Sequence, residues 1–146
     1  MSALQPLRSI VYASEMTVAM GTDDLEALLT SARGLNRQNG ITGVLLCSGQ
    51  QFLQCFEGAE DAVQETYDRI HRSRLHKDLV VYMDAAVPTR AFDDWAMGCA
   101  RQTQSELLTL ATAEWDASSA AMPFLPSSPP GLGMLKVFWS MRQNEL

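Results

Sequence analysis

The stretch ITGVLLCSGQQFLQCFEG, residues 41–58, decides the fold. Two apolar runs, ITGVLLC at 41–47 and QFLQCFE at 51–57, flank Ser48-Gly49, a dipeptide that turns the chain. Each run has the length of one strand, so the pair predicts a hairpin. In the second run, alternation places Phe52, Gln54 and Phe56 on one face and Cys55 on the other. A glutamine between two inward phenylalanines needs a partner, because a buried amide without one costs about 1–3 kcal/mol.

The segments around the hairpin complete the pattern. Upstream, LRSIVYAS at 7–14 is rich in strand formers and sets Arg8, Ile10, Tyr12 and Ser14 on one face. Asp23, followed three residues later by Glu26, reads as a capping-box variant opening a helix. Leu25, Leu28, Leu29, Ala32, Leu35 and Asn36 follow the spacing of one helical stripe, and Asn39-Gly40 stops it. Downstream, a second helix over about 60–73 carries Val63, Thr66, Tyr67 and Ile70. A fourth strand is expected at 78–84, a loop at Pro88-Thr89, and a short fifth strand at 95–100.

The order β-α-β-β-α-β, then β, predicts an α+β, ferredoxin-like βαββαβ fold. Its five-stranded mixed sheet has two helices on one face. The first β-α-β crossover makes its two strands parallel. Thr103-Gln104-Ser105-Glu106 opens a further helix, running to about Trp115. Residues 116–133 read as a linker. A last helix repeats apolar spacing at Met134, Val137, Phe138 and Met141. These two C-terminal helices either shield the bare face of the sheet or meet a partner. The expected division is a domain at 1–101 and a helical extension at 102–146.

Composition narrows the function. The chain has 146 residues, 47% hydrophobic, with 11 basic against 17 acidic residues and a net charge of −6. That balance disfavours nonspecific nucleic-acid binding and anionic membrane surfaces. No run approaches the roughly 20 apolar residues of a membrane span. The N-terminus does not read as a signal peptide. Cys47, Cys55 and Cys99 form no C-x-x-C pair, which points to reduced thiols and a cytoplasmic protein. His71 and His76 pair with no cysteine cluster, so no metal is expected.

Three polar residues occupy positions where apolar ones belong: Tyr12, Asn36 and Gln54. In a ferredoxin-like layout the first and third strands are central neighbours, with the first helix above them. The three side chains can therefore converge. They form either a small self-satisfied network or the polar edge of a ligand site.

The stretches IVYAS, NRQNGITGVLL, FLQCFEG and FDDWAMG, in this order and spacing, resemble the BLUF domain family of flavin-based blue-light sensors. The resemblance covers roughly residues 5–101. It implies noncovalent FAD between the two helices, with Tyr12 as the redox-active tyrosine and Gln54 as the bridging glutamine. It implies Asn36 at the flavin's carbonyl edge and Arg69 as a supporting cation, although Arg69 also fits a solvated helix charge. Trp95 and Met97 match the tryptophan–methionine pair implicated in signalling. Both also fit as packing residues, and His76 reads as a surface residue.

The sequence departs from the family at Leu35, where a histidine or asparagine is frequent. Ser73 and Leu75 also replace a common aspartate and arginine. The implied function is photoreception without catalysis, relayed to an unidentified downstream signalling protein, with self-association expected. The competing reading is a light-independent ferredoxin-like assembly or small-molecule module lacking flavin. An acylphosphatase-like hydrolase ranks last, because YASEMTVAMGTDD offers acids and methionines where a phosphate cradle is needed.

Overall fold

The computed structural model describes residues 6–17, 22–92, 97–101, 103–115 and 130–143. Five strands are seen: β1 (Leu7–Met16), β2 (Thr42–Ser48), β3 (Gln51–Ala59), β4 (His76–Val87) and β5 (Gly98–Arg101). The helices are α1 (Thr22–Asn39), α2 (Glu60–Arg72), α3 (Gln104–Ala111) and α4 (Pro130–Gln143). The sheet order is β4-β1-β3-β2-β5. β3 runs antiparallel to both β1 and β2, so β1 and β2 are parallel, as the crossover requires. β5 adds in parallel beside β2. This is the expected ferredoxin-like α+β architecture.

The local signals act as expected at most boundaries. Gly40 sits at φ +69, and the Ile41 amide donates back to the Asn36 carbonyl at 2.8 Å, closing α1. The Glu106 amide donates to Thr103 Oγ1, and the Thr103 amide donates to Glu106 Oε1, a complete capping box. At the start of α1 the outcome differs: Asp23 lies within the first helical turn, not before it. There its charge still favours the positive end of the helix dipole. β4 is longer than expected, because pairing with β1 from Leu7↔Val87 to Met16↔His76 recruits His76 and Lys77 at one end and Ala85, Ala86 and Val87 at the other. β5 starts at Gly98, with Met97 just ahead of it. The expected strand start at 95 lies outside the described residues, as does Trp95.

The central strands β1, β3 and β2 are buried on both faces, while the edge strand β4 is largely exposed. On the front, Ile10, Tyr12 and Phe56 pack with Val63 of α2, and Met16, Leu45, Phe52 and Met97 pack with Leu29 of α1. On the back, Val11, Leu46, Leu53 and Cys55 meet Leu107 and Leu110 of α3 and Leu135 and Trp139 of α4. The C-terminal helices therefore cover the second face. Each such fully buried side chain contributes about 1.5–3 kcal/mol. Gly98 is what admits α4 to β5: a Cβ there would lie 2.4 Å from the Trp139 ring.

Glu57, 1% exposed, is a buried acid on the back face. Its Oε1 accepts the Phe92 amide at 2.7 Å, which fastens the segment after β4 to β3. Arg90 Nη1 donates to Thr42 Oγ1 at 3.0 Å and to the Glu57 carbonyl at 3.3 Å. Burial raises the Glu57 carboxyl above its ordinary 4.5, against the opposing pull of the amides and Arg90. The folded chain thus holds this proton more tightly than the unfolded chain. The associated stability is full below about 4.5 and is lost as pH rises through the folded value. Glu57→Ala is expected to cost about 2 kcal/mol or more in urea denaturation, through the stranded Phe92 amide. Glu57→Gln, which keeps an acceptor, costs less and gains on the wild type as pH rises.

Candidate functional site

Tyr12 and Gln54 are direct partners in the β1–β3 register, so both side chains leave the same face of the sheet as neighbours. The Tyr12 hydroxyl donates to Gln54 Oε1. The other end of the amide, Nε2, donates to Met97 Sδ at 3.4 Å. Both ends of Gln54 are thus engaged, one by a phenol and one by a soft sulfur acceptor.

This bridge forms the floor of a cleft of about 220 Å³ between α1 and α2, open to solvent on one side. Leu28, Leu29 and Ile70 supply apolar walls, and Asn36, Arg69, Ser73 and His76 supply polar ones. Asn36 is buried where the α1 stripe places it, and Arg69 reaches the cleft from α2. Four residues singled out from sequence, Tyr12, Asn36, Gln54 and Arg69, therefore line one cleft, and Met97 lines it too. Leu35 sits at the rim, 37% exposed.

Tyr12 is 1% exposed, with its ring edge-on to Phe56 at 6.1 Å and to His76 at 6.2 Å. Burial pushes its phenol well above the ordinary value of 10, so it stays protonated. Sequence reasoning put His76 at the surface. The structure instead turns it into the cleft, with Nδ1 2.8 Å from Ser14 Oγ. The signal was available in the alternation of the first strand, where Ser14 shares the face of Tyr12. Sequence reasoning also missed Arg33, whose Nε donates to the Met97 carbonyl at 2.9 Å.

The chemistry of the donor set suits a planar heteroaromatic ligand with a polar edge. Apolar walls take the ring faces, and Gln54 and Asn36 carry amides that can both donate and accept. Among the described residues, no group of three or more His, Cys, Asp or Glu side chains could hold a metal ion. Among them, too, no helix is long and apolar enough to cross a membrane.

Comparison with known proteins gives the family. The family described as sensors of blue light using FAD matches residues 7–98. The chain belongs to the BLUF family. It is 31% identical over 124 residues to photoactivated adenylate cyclase subunit beta of Euglena longa, covering 85% of this chain and 12% of that protein. It is 29% identical over 86 residues to the blue light- and temperature-regulated antirepressor BluF of Escherichia coli K12, covering 59% of this chain and 21% of that protein. Among solved structures it resembles the dark state of the BLUF protein BlrB. That likeness has a TM-score of 0.64 and 30% identity, covering 73% of this chain and 80% of that one. The BLUF chain thus spans 12% of the length of the beta-type cyclase subunits it matches.

Burial lowers the His76 pKa below its ordinary 6.5, keeping the ring neutral. The folded chain therefore resists a proton that the unfolded chain accepts, so stability falls as pH drops below about 6.5. His76→Gln is expected to flatten the loss of stability between about pH 7.5 and 5.5 in urea denaturation. An unchanged slope would place the acid sensitivity elsewhere.

Proposed function

We propose that this chain is a blue-light photoreceptor that binds FAD noncovalently in the α1–α2 cleft. The observation that carries the reading is the Gln54 amide, held between the Tyr12 hydroxyl and Met97 Sδ on the cleft floor. Bound there, the flavin supplies a blue-absorbing, strongly oxidising excited state. Asn36 holds its carbonyl edge, Arg69 supports it from α2, and the apolar walls exclude water from its ring.

Tyr12 acts as the electron donor. Its raised pKa keeps the phenol protonated at rest, so the proton leaves with or after the electron and not before it. Gln54 Oε1 already accepts that proton's hydrogen bond and is the first station on its way out. Return of electron and proton restores the phenol, so no net chemistry remains on the chain. What persists is a Gln54 amide rotated or tautomerised, which presents a different hydrogen-bonding edge to the cleft.

Met97 senses this change directly. Exchanging the ends of the amide replaces an N–H facing Sδ with an oxygen, turning attraction into lone-pair repulsion. Met97 must then withdraw, and it leads straight into β5. Trp95 shares the signalling role, and residues 102–146 form the output extension of a sensor domain at 1–101. The output is contact with a partner protein, with self-association as a second route and no catalysis by this chain. The relatives' names support a link from light to an output, since one is a photoactivated adenylate cyclase subunit and another a blue light-regulated antirepressor.

The purified protein is expected to be yellow, to shift its absorption red under blue light, and to relax in darkness. Tyr12→Phe and Gln54→Leu are each expected to retain flavin and lose the shift, read by absorption spectroscopy. A normal photocycle in either variant refutes the roles given to them. Protein that stays colourless after incubation with FAD refutes the photoreceptor reading altogether. Loss of light-dependent partner binding or assembly in Trp95→Ala or Met97→Ala, with the red shift kept, is the expected signature of the output route.

A further inference from the structure

Met97 is held at two atoms by two different layers of the fold. Gln54 on β3 donates to its Sδ at 3.4 Å, and Arg33 on α1 donates through Nε to its carbonyl at 2.9 Å. The first contact is weak, because a thioether is a poor acceptor. The second is charge-assisted and shorter, hence the stronger of the two. Met97 itself is 3% exposed, so its carbonyl has little access to water should Arg33 be lost.

We propose that Arg33 is a positioning residue that fixes the Met97 main chain so that its sulfur meets the Gln54 amide. The geometry assigns the work as follows. Met97 stands just before β5, and β5 pairs with β2 only from Gly98 onward. Its carbonyl therefore takes its anchor from α1. A weak N–H···S contact selects one orientation of the amide only if the sulfur is presented at a fixed place. With the main chain pinned, sulfur and amide oxygen cannot share that place without repulsion. The resting orientation of Gln54 is thereby favoured. Without the pin, Met97 drifts, the penalty on the exchanged amide falls, and the two orientations approach each other in free energy.

Arg33 is not among the residues lining the cleft, so its substitution leaves the cleft walls in place. Its position three residues before Asn36 on α1 also ties the helix expected to hold the flavin edge to the strand expected to carry the signal. The inference rests on the photoreceptor reading for its kinetic consequence, but its structural content concerns Arg33, Met97 and Gln54 alone.

The test compares wild type with Arg33→Met, which keeps the apolar stem and removes the donor, and Arg33→Lys, which keeps a cationic donor. Two readouts are taken on the flavin-loaded protein. In the dark, the ¹³C-methyl NMR resonance of Met97 is expected to move and broaden in Arg33→Met and to return toward wild type in Arg33→Lys. After illumination, dark recovery in Arg33→Met is expected to slow by about threefold or more, with Arg33→Lys intermediate. In a Met97→Leu background, which removes the sulfur, Arg33→Met is expected to add no further slowing.

An unmoved Met97 resonance overturns the proposal, as does unchanged recovery in Arg33→Met or slowing that simply adds to that of Met97→Leu. Those results leave the photoreceptor reading standing, because the wild type still shifts and recovers. A wild type with no red shift is the separate failure of that reading. In that event the Met97 resonance alone decides the role of Arg33.

Discussion

The cross-strand pair Tyr12–Gln54 is the constraint on which the site depends. The two residues are opposite partners in the central antiparallel ladder, and a slip of one residue would send one of them to the back of the sheet. Side chains across the same two strands support the register: Ser9 Oγ lies 3.7 Å from Cys55 Sγ, and the Tyr12 ring sits edge-on to Phe56. Tyr12 and Gln54 thus meet because the whole sheet is aligned, and no separate device has to bring them together.

From that pair the structure divides into a front and a back. The front face holds the cleft, and the back face holds α3 and α4. Two contacts lie behind the strands that carry the cleft floor. Glu57, three residues after Gln54 on β3, receives the Phe92 amide from behind. Gly98, one residue after Met97, receives the ring of Trp139. A displacement that begins at the Gln54 amide therefore has a short path through Met97 to a helix on the opposite face. Sequence order alone suggests that β5 signals to α3, which follows it. The packing places α4 directly on β5 as well.

Much of this was legible in the residues. The hairpin at 41–58 and the faces of the first and third strands follow from alternation, and the polar intrusions at Tyr12, Asn36 and Gln54 all line the one cleft. Arg33 and Glu57 were not visible. Each is a charged residue whose partner is a backbone group far along the chain, and side-chain patterning carries no information about main-chain partners. His76 was misjudged for a related reason. β4 is an edge strand whose inward residues are set by pairing with β1, including a register shift between Ala13 and Glu15, and its own alternation is weak. The covering of the back face by the C-terminal helices was one of two open alternatives. The buried Leu110, Leu135 and Trp139 settle it.

The most direct test of the central claim is light-minus-dark infrared difference spectroscopy with isotope-labelled glutamine. The account predicts amide bands that move with the label, that appear and decay together with the visible red shift, and that vanish in Gln54→Leu. A red shift whose infrared difference spectrum is insensitive to glutamine labelling would contradict it.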